Sequence, residues 1–180
     1  MIRLAGSVKR SFLFPSDLTT ALHYYADMGH LFKFLPHITL IKTYSKTQFR
    51  VLYSSMELGI YRIKLYCDLE VKLDPENATV EVGIFNGQKP IKAKAGMHSI
   101  RAMANYNSIS YFKSEGDHVR IYYHLNLEGK LPKPLAFSLV PDSITNHIAE
   151  GIAERRIYEI ADGFIESSLT EFQRKTNHQG

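Results

Sequence analysis

The sequence predicts an α+β fold in which a curved antiparallel sheet of about seven strands surrounds a long C-terminal helix. Residues 61–73 alternate between apolar and polar side chains, which is typical of a strand with one dry and one wet face. Isoleucines at positions 144, 148 and 152 begin a helical stripe that continues through Phe164 and Phe172. Residues 16–35 contain two short helical stretches that follow the first strand.

The C-terminal helix is predicted over about 143–175, after Pro141 and with Ser143 as a capping residue. At about 1.5 Å per residue this segment is roughly 45–50 Å long, so it must lie across a wide element such as a sheet. The stripe takes a five-residue step between Ile152 and Ile157. Because such a step turns the apolar face around the axis, we expect a bend near Gly151 or a short first helix that runs into a long one.

The remaining elements follow in a simple order. The first strand covers about 8–14 and ends at Pro15, the short helices cover about 16–35, and strands fill about 38–128. Consecutive strands joined by short turns pair antiparallel. One face of such a sheet is apolar and only the long helix is large enough to cover it, so a hollow should remain between the two.

Length and composition predict one domain over 1–180, since 180 residues with 44 % apolar and 22 % charged side chains are enough for one core. The single Cys67 excludes an internal disulfide and fits a reducing compartment. The sequence has neither a signal-peptide pattern nor an apolar run long enough to cross a membrane, which predicts a cytoplasmic protein. The net charge of +4 is compatible with an anionic partner or with a solvated basic surface.

Three short stretches carry a resemblance to a known family: Phe14-Pro15-Ser16 before the short helices, Phe34-Leu35-Pro36 after them, and Leu139-Val140-Pro141 before the long helix. With this order of elements, the chain resembles the helix-grip fold of the START-like (SRPBCC) superfamily. Within the superfamily it is similar to a family found mainly in cyanobacteria and plastids. The resemblance implies that an apolar or amphipathic small molecule binds between sheet and helix, and it carries over no catalytic residues.

A basic segment interrupts the run of strands. No acidic residue occurs between Glu81 and Glu115, and residues 87–101 combine glycines with positive charges. Residues 97–104 could form a short helix or an irregular flap. We consider two roles for the segment, a cationic lid that binds an anionic group and a solvated loop. The candidate lid residues are Lys89, Lys92, Lys94, Met97 and Arg101.

The candidate cavity residues are those on the dry faces of the strands and on the stripe of the long helix. Arg10 shares the face of Phe12, and a buried arginine needs a partner or an anionic ligand unless it reaches water at the strand end. A buried Cys67 would pack as a small apolar residue. The full set is Arg10, Phe12, Tyr53, Leu65, Cys67, Tyr123, Ile160 and Phe164.

Three functions remain open from the sequence. The first is a carrier or sensor of a lipid, isoprenoid or tetrapyrrole-like molecule, and the second is an enzyme of the cyclase or dehydratase type in the same cavity. The third is an interaction module that uses residues 87–101 on anionic lipid, whereas nucleic acid is disfavoured because no aromatic residues interleave with these charges. The histidines show no zinc-site spacing, and we expect no catalytic residues, metal or other cofactor. The sequence leaves the oligomeric state open.

Overall fold

The computed structural model describes residues 1–177 and confirms the predicted α+β fold, with a curved antiparallel sheet and a long C-terminal helix. The sheet has eight strands: β1 (Ile2–Phe14), β2 (Ile38–Thr43), β3 (Gln48–Glu57), β4 (Tyr61–Asp74), β5 (Thr79–Ile84), β6 (Lys94–Ala95), β7 (Ser99–Glu115) and β8 (His118–Leu131). The helices are α1 (Leu18–Ala26), α2 (Met28–Leu31) and α3 (Asp142–Asn177), with single 3-10 turns at Phe32–Phe34 and Leu135–Phe137.

The strands lie in the order β1-β8-β7-β5-β4-β3-β2, and β6 pairs with β7. The pairings along this path are antiparallel, as short connections require. The beginnings of β4 and β7 form an additional parallel pairing, in which residues 62–66 lie beside residues 99–103. With α3 against the concave face, this architecture is the helix-grip fold.

The short helices are positioned by their caps. The Asp17 carboxylate accepts hydrogen bonds from the backbone N–H and the hydroxyl of Thr20, at 3.0 and 2.6 Å, and so begins α1. Ala21, Leu22 and Tyr25 form the buried face of this helix. The helix ends at Ala26, and the Asp27 side chain then caps α2 through the backbone N–H of His30. These two helices close one end of the concave face.

The long helix α3 runs without interruption from Asp142 to Asn177. Of the two expectations, a bend near Gly151 or a short first helix that runs into a long one, the second is therefore wrong. The reason is the small residue Ala153, which is buried and takes over the stripe where Ile152 leaves it. Ala153, Ile157 and Ala161 then continue at four-residue spacing, in parallel with a second row at residues 160, 164 and 168. The buried side chains of these two rows keep the helix in contact with the sheet throughout its middle.

Two strands begin earlier than the sequence predicts. β1 starts at Ile2 rather than at residue 8, because it pairs with β8 along its whole length, from Leu131 at one end to Val119 at the other. β7 starts at Ser99, so residues 99–104 are neither a helix nor a flap. Ile100, Ala102 and Ala104 alternate with exposed or half-exposed residues in a strand pattern, which their small side chains made hard to see in the sequence.

Phe164→Ala tests whether α3 covers the dry face. Phe164 is 4 % exposed and its ring lies 6.0 Å from that of Tyr25 and 5.9 Å from that of Tyr123. The cavity left by the substitution should lower the free energy of unfolding by about 3 kcal/mol or more, measured by urea denaturation. Ile144→Ala, at an exposed position of the same helix, should change it by less than about 0.5 kcal/mol. A loss below about 1 kcal/mol for Phe164→Ala would contradict this packing.

Candidate functional site: two apolar cavities along the long helix

An apolar cavity, called here the inner cavity, lies between the sheet and the middle of α3. Its volume is about 30 Å³, measured with a water-sized sphere. The walls come from four sources: the turn after α2, strands β3 and β4, strands β7 and β8, and α3. The lining residues are Phe32, Leu35, Ile38, Val51, Tyr53, Leu65, Cys67, Leu69, Tyr106, Leu125, Leu127, Ile157 and Ile160.

A second apolar space, called here the end cavity, lies beside the first turns of α3 and has a volume of about 60 Å³. It is bordered by the start of β1, the turn between β3 and β4, the start of β7 and the segment between β8 and α3. The lining residues are Ile2, Leu4, Glu57, Leu58, Tyr61, Ile63, Ile100, Leu131, Pro134, Phe137, Thr145, Ile148, Ala149 and Ile152. The two cavities therefore follow one another along the same helix.

The polar side chains in and beside the inner cavity are neutral. The hydroxyls of Tyr106 and Tyr123 lie 3.1 Å apart, and burial raises the pKa of both phenols, that of Tyr123 well above its ordinary value. Burial also raises the pKa of Tyr53, and it raises the pKa of the Cys67 thiol to about 12. The inner cavity thus contains hydrogen-bonding groups but no charge.

Charged side chains lie at the border between the sheet edge and α3. Glu57 is 1 % exposed and accepts hydrogen bonds from Arg156 Nε at 2.8 Å and from Arg155 Nη2 at 2.9 Å. Burial raises the pKa of Glu57, but the hydrogen bond from Arg156 and the charges of both arginines outweigh burial and hold the pKa below its ordinary value. The cluster ties the end of β3 to α3.

A second part of this network continues along the outside of α3. Arg156 also pairs with Glu159, which accepts a hydrogen bond from His37 Nε2 at 2.8 Å. His37 lies directly before β2, which forms one edge of the sheet, whereas β1 forms the other. The network therefore connects α3 to the β2 edge. Hydrogen bonds from His37 and Arg156 lower the pKa of Glu159 despite its partial burial, which acts in the other direction.

The predicted cavity residues divide into three groups. Tyr53, Leu65, Cys67 and Ile160 line the inner cavity. Tyr123 and Phe164 lie deeper along α3, around a space of only about 10 Å³. Arg10 and Phe12 line neither the inner nor the end cavity. The Arg10 Nε donates to Asp162 Oδ1 of α3 at 2.6 Å, and Phe12 packs edge-on against Tyr25 of α1.

Sequence reasoning did not identify the cavity residues from the turn after α2. Phe32 and Leu35 lie in or directly after a single 3-10 turn, where no helical or strand period marks the inward side, and Ile38 is the first residue of β2. Tyr106 was missed because β7 was predicted to begin after it. Leu125 and Leu127 lie in a stretch where apolar and polar residues alternate. This pattern could have predicted that both side chains face the cavity.

The basic segment lies on the outer face of the sheet. The Arg50 guanidinium binds both oxygens of Asp68 at 2.7 Å and also donates to the Lys89 carbonyl at 2.9 Å. Lys94 and Arg101 are opposite one another in the pairing of β6 with β7. None of Lys89, Lys92, Lys94, Met97 and Arg101 lines the inner or the end cavity. Their role, as a cationic lid or as a solvated loop, stays a prediction.

Within residues 1–177, no group of three or more His, Cys, Asp or Glu side chains is arranged to hold a metal ion. None of the helices in the same range is both long and apolar enough to cross a membrane.

No protein-family model matches this sequence, and no curated protein matches it. Solved structures do resemble it. The Zhui aromatase/cyclase from a Streptomyces strain is 12 % identical, covers 96 % of this chain and 96 % of its own, and has a TM-score of 0.56. A conserved protein from Geobacillus kaustophilus is 10 % identical, with 95 % of this chain and 96 % of its own covered and a TM-score of 0.56.

The di-domain aromatase/cyclase StfQ from the steffimycin biosynthetic pathway is 9 % identical and has a TM-score of 0.56. It covers 97 % of this chain, whereas only 52 % of StfQ is covered, so this chain spans about half the length of that protein. At these identities the similarities establish the fold alone. The chain shares the fold of these structures, and its function has to be argued from its own site.

Glu57→Gln tests the ion-pair cluster. Because the folded-state pKa of Glu57 lies below its ordinary value of 4.5, the carboxylate stabilises the fold above that pH and loses this contribution as the pH falls through the folded-state pKa. At neutral pH the variant should lose about 1–3 kcal/mol of unfolding free energy, measured by urea denaturation. Its stability should fall less steeply than that of the wild type on acidification toward about pH 3.

The control is Glu150→Gln, which replaces an exposed glutamate of α3. Its unfolding free energy should depend on pH in the same way as that of the wild type. Parallel pH profiles for Glu57→Gln and the wild type would show that the Glu57 ion pairs do not stabilise the folded state.

Proposed function

We propose that this protein binds a hydrophobic or amphipathic small molecule between the sheet and α3, and acts as its carrier or sensor. The observation that supports this most directly is the succession of two apolar cavities along one helix, with no charged side chain in the wall of the inner cavity. Concave apolar sites with a few polar groups are typical of small-molecule binding. The helix-grip fold supports the proposal by analogy only.

The chemistry of the walls favours a neutral ligand. Tyr53, Cys67 and Tyr106 are the groups of the inner cavity that can hydrogen-bond, and burial raises the pKa of each. Arg155 and Arg156, the cations at the border, are already bound to Glu57. A carboxylate on a ligand would have no free partner in this cavity, so an isoprenoid or a neutral lipid fits better than a tetrapyrrole with acidic groups.

Ligand entry requires expansion. The cavities of about 30 and 60 Å³ have room for only a few water molecules, whereas sites for drug-sized ligands occupy about 300–1,000 Å³. The wall formed by residues 32–38 has little regular secondary structure and borders the inner cavity. We infer that this segment and α3 separate when the ligand enters.

We further propose that residues 1–180 form one domain, that the protein is cytoplasmic, and that it belongs to the START-like family found mainly in cyanobacteria and plastids. One alternative function is an interaction module in which residues 87–101 contact anionic lipid. The enzyme alternative, a cyclase or dehydratase, would require a titratable pair that faces the ligand, and the neutral phenols and thiol of the inner cavity supply no base at neutral pH.

Native mass spectrometry tests the proposal directly. Protein purified from its own cells should retain one apolar molecule that organic extraction releases, or should take up one member of a panel of isoprenoids and neutral lipids. A mass that always equals that of the free chain, with no uptake from the panel, would overturn the proposal. Release of a chemically altered panel molecule would instead favour the enzyme alternative.

Cys67 provides an internal reporter of occupancy, since it is the single cysteine of the chain and lines the inner cavity. Because its thiol pKa is about 12, Cys67 should react slowly with iodoacetamide at pH 7.5. A bound panel molecule should lower the reaction rate by a further factor of about ten or more, relative to the ligand-free protein. The rate is measured by mass spectrometry.

The matched control moves the thiol to a buried position outside the cavities, in the double variant Cys67→Ser and Val71→Cys. Val71 lies on the same face of β4 but lines neither cavity. The ligand should not protect a cysteine at this position. Equal protection at both positions would indicate general stabilisation rather than occupancy of the inner cavity.

A further inference from the structure

Exposed apolar side chains are concentrated at one end of the molecule. Within residues 1–177, all large apolar side chains that are more than 50 % exposed belong to the N-terminus, to turns or to the start of α3. They are Met1, Leu58, Ile60, Met97, Leu135, Leu139 and Ile144. Scattered exposed apolar residues are ordinary, but a concentration at one place marks a contact surface.

These side chains belong to the segments that line or adjoin the end cavity. The Tyr61 ring lies 5.2 Å from that of Phe137 and 6.2 Å from that of His98, and the Arg62 N–H donates to the His98 carbonyl at 3.0 Å. The turn between β3 and β4, the turn between β6 and β7 and the segment before α3 therefore converge around Tyr61. We call Leu58, Ile60, Met97, Leu135 and Leu139 the apolar tips.

The turn between β3 and β4 holds Leu58 in water. Leu58 and Gly59 have φ values of 51° and 72°, as the two central residues of a tight hairpin turn do, and the Ile60 N–H donates to the Glu57 carbonyl at 3.2 Å. Leu58 is therefore 58 % exposed at the tip of this turn.

The charges beside the tips are positive. In the register of the sheet, Arg101 lies opposite Lys94 on one side and beside Lys64 on the other, and Arg62 is two residues before Lys64 on the same outer face. Within residues 1–177, none of these four side chains forms an ion pair with an acidic group. In contrast, two acidic side chains of this end are neutralised: Glu57 by its arginines and Asp142 by Lys133 at 2.8 Å.

The composition of the surface favours lipid over protein. The centres of protein interfaces are enriched in aromatic residues, whereas the tips are all aliphatic or methionine and are carried on separate turns. Aliphatic side chains bordered by free cations are typical of surfaces that bind the interfacial layer of an anionic bilayer.

We propose that this end of the molecule docks on an anionic lipid bilayer. The apolar tips enter the boundary between headgroups and acyl chains, and Lys64, Lys94 and Arg101 contact the headgroups. This surface includes Lys94, Met97 and Arg101 of the basic segment, and it adds Lys64 and the other four apolar tips. Docking itself is independent of the proposed ligand, but its consequence, that the end cavity opens toward the bilayer, rests on the proposed function.

Vesicle co-sedimentation tests the docking surface. The full chain should sediment with phosphatidylcholine vesicles that contain about 30 % phosphatidylserine, and binding should weaken steeply with added salt. The double variant Leu58→Ser and Leu139→Ser should bind at least about tenfold more weakly. The control, Leu13→Ser with Ile41→Ser, removes two exposed apolar residues that do not border the end cavity and should bind as the wild type does.

The charge contribution is measured separately with Lys64→Gln and Arg101→Gln, which should remove the preference for phosphatidylserine over phosphatidylcholine. All variants should keep the wild-type melting temperature, since the substituted side chains are exposed or half-exposed. Absence of vesicle binding by the wild type, or equal binding by the tip and control variants, would overturn the proposal. Self-association that only the tip variant loses, without vesicle binding, would identify a protein interface instead.

Uptake of a panel molecule added from ethanol, followed by native mass spectrometry, separates this proposal from the proposed function. A tip variant that takes up the molecule but does not sediment with vesicles has lost docking alone. A wild type that sediments with vesicles but takes up no molecule would retain the docking surface and overturn the ligand proposal.

Discussion

The close contact of α3 with the concave face of the sheet is the constraint on which the rest of the structure depends. The helix approaches β1 and the turn before β2 closely enough that glycine is needed at one position. A Cβ at Gly163 would lie 2.5 Å from Pro36 Cγ, which is shorter than any ordinary contact. At Gly6 a Cβ would already be in van der Waals contact with Ile157. The helix is thus fixed over β1 on one side and over the turn at Pro36 on the other.

A single helix in this position cannot fill the concave face of an eight-stranded sheet. The central strands β4, β7 and β8 face a space that only their own side chains and the turn after α2 can fill. Protein interiors are close-packed, and an empty apolar space has no favourable contacts to offer. The small volumes of the two cavities are therefore what the ligand-free fold should have, and a ligand would replace loose side-chain packing with its own contacts.

The polar contacts of α3 are distributed so that its apolar face stays uninterrupted. Arg10 binds Asp162, the arginines at 155 and 156 bind Glu57, and the Tyr25 hydroxyl lies 3.0 Å from Ser168 Oγ. These bonds lie at the edges of the sheet or at the far end of the helix. The inner wall is left to residues such as Ile157 and Ile160, so separating α3 from the sheet would expose mainly apolar surface to an incoming ligand.

Sequence patterns predicted the elements that have a strong period and a clear face. The alternation from Tyr61 to Leu73 located β4 and placed Leu65 and Cys67 on the inward face. In a strand with strictly alternating apolar and polar residues, only one assignment of faces buries the apolar side chains. The start of β7 was not predictable in this way, since its pairing with β4 and β8 is non-local. The inward side of Leu35 was equally hidden, because a single 3-10 turn has no repeating face.

The basic segment shows why charge patterns alone did not locate the candidate contact surface. Its lack of acidic residues was visible in the sequence, but the side chains project from the outer face only because Lys94, Arg101 and Lys64 are placed side by side by two different strand pairings. The apolar tips come from turns far apart in the sequence and meet only around Tyr61. The parallel pairing of β4 with β7 therefore has two effects. It closes the sheet beside the end cavity, and it places the cations next to the apolar tips. The same strand pairing therefore shapes both the end cavity and the surface proposed to bind the bilayer.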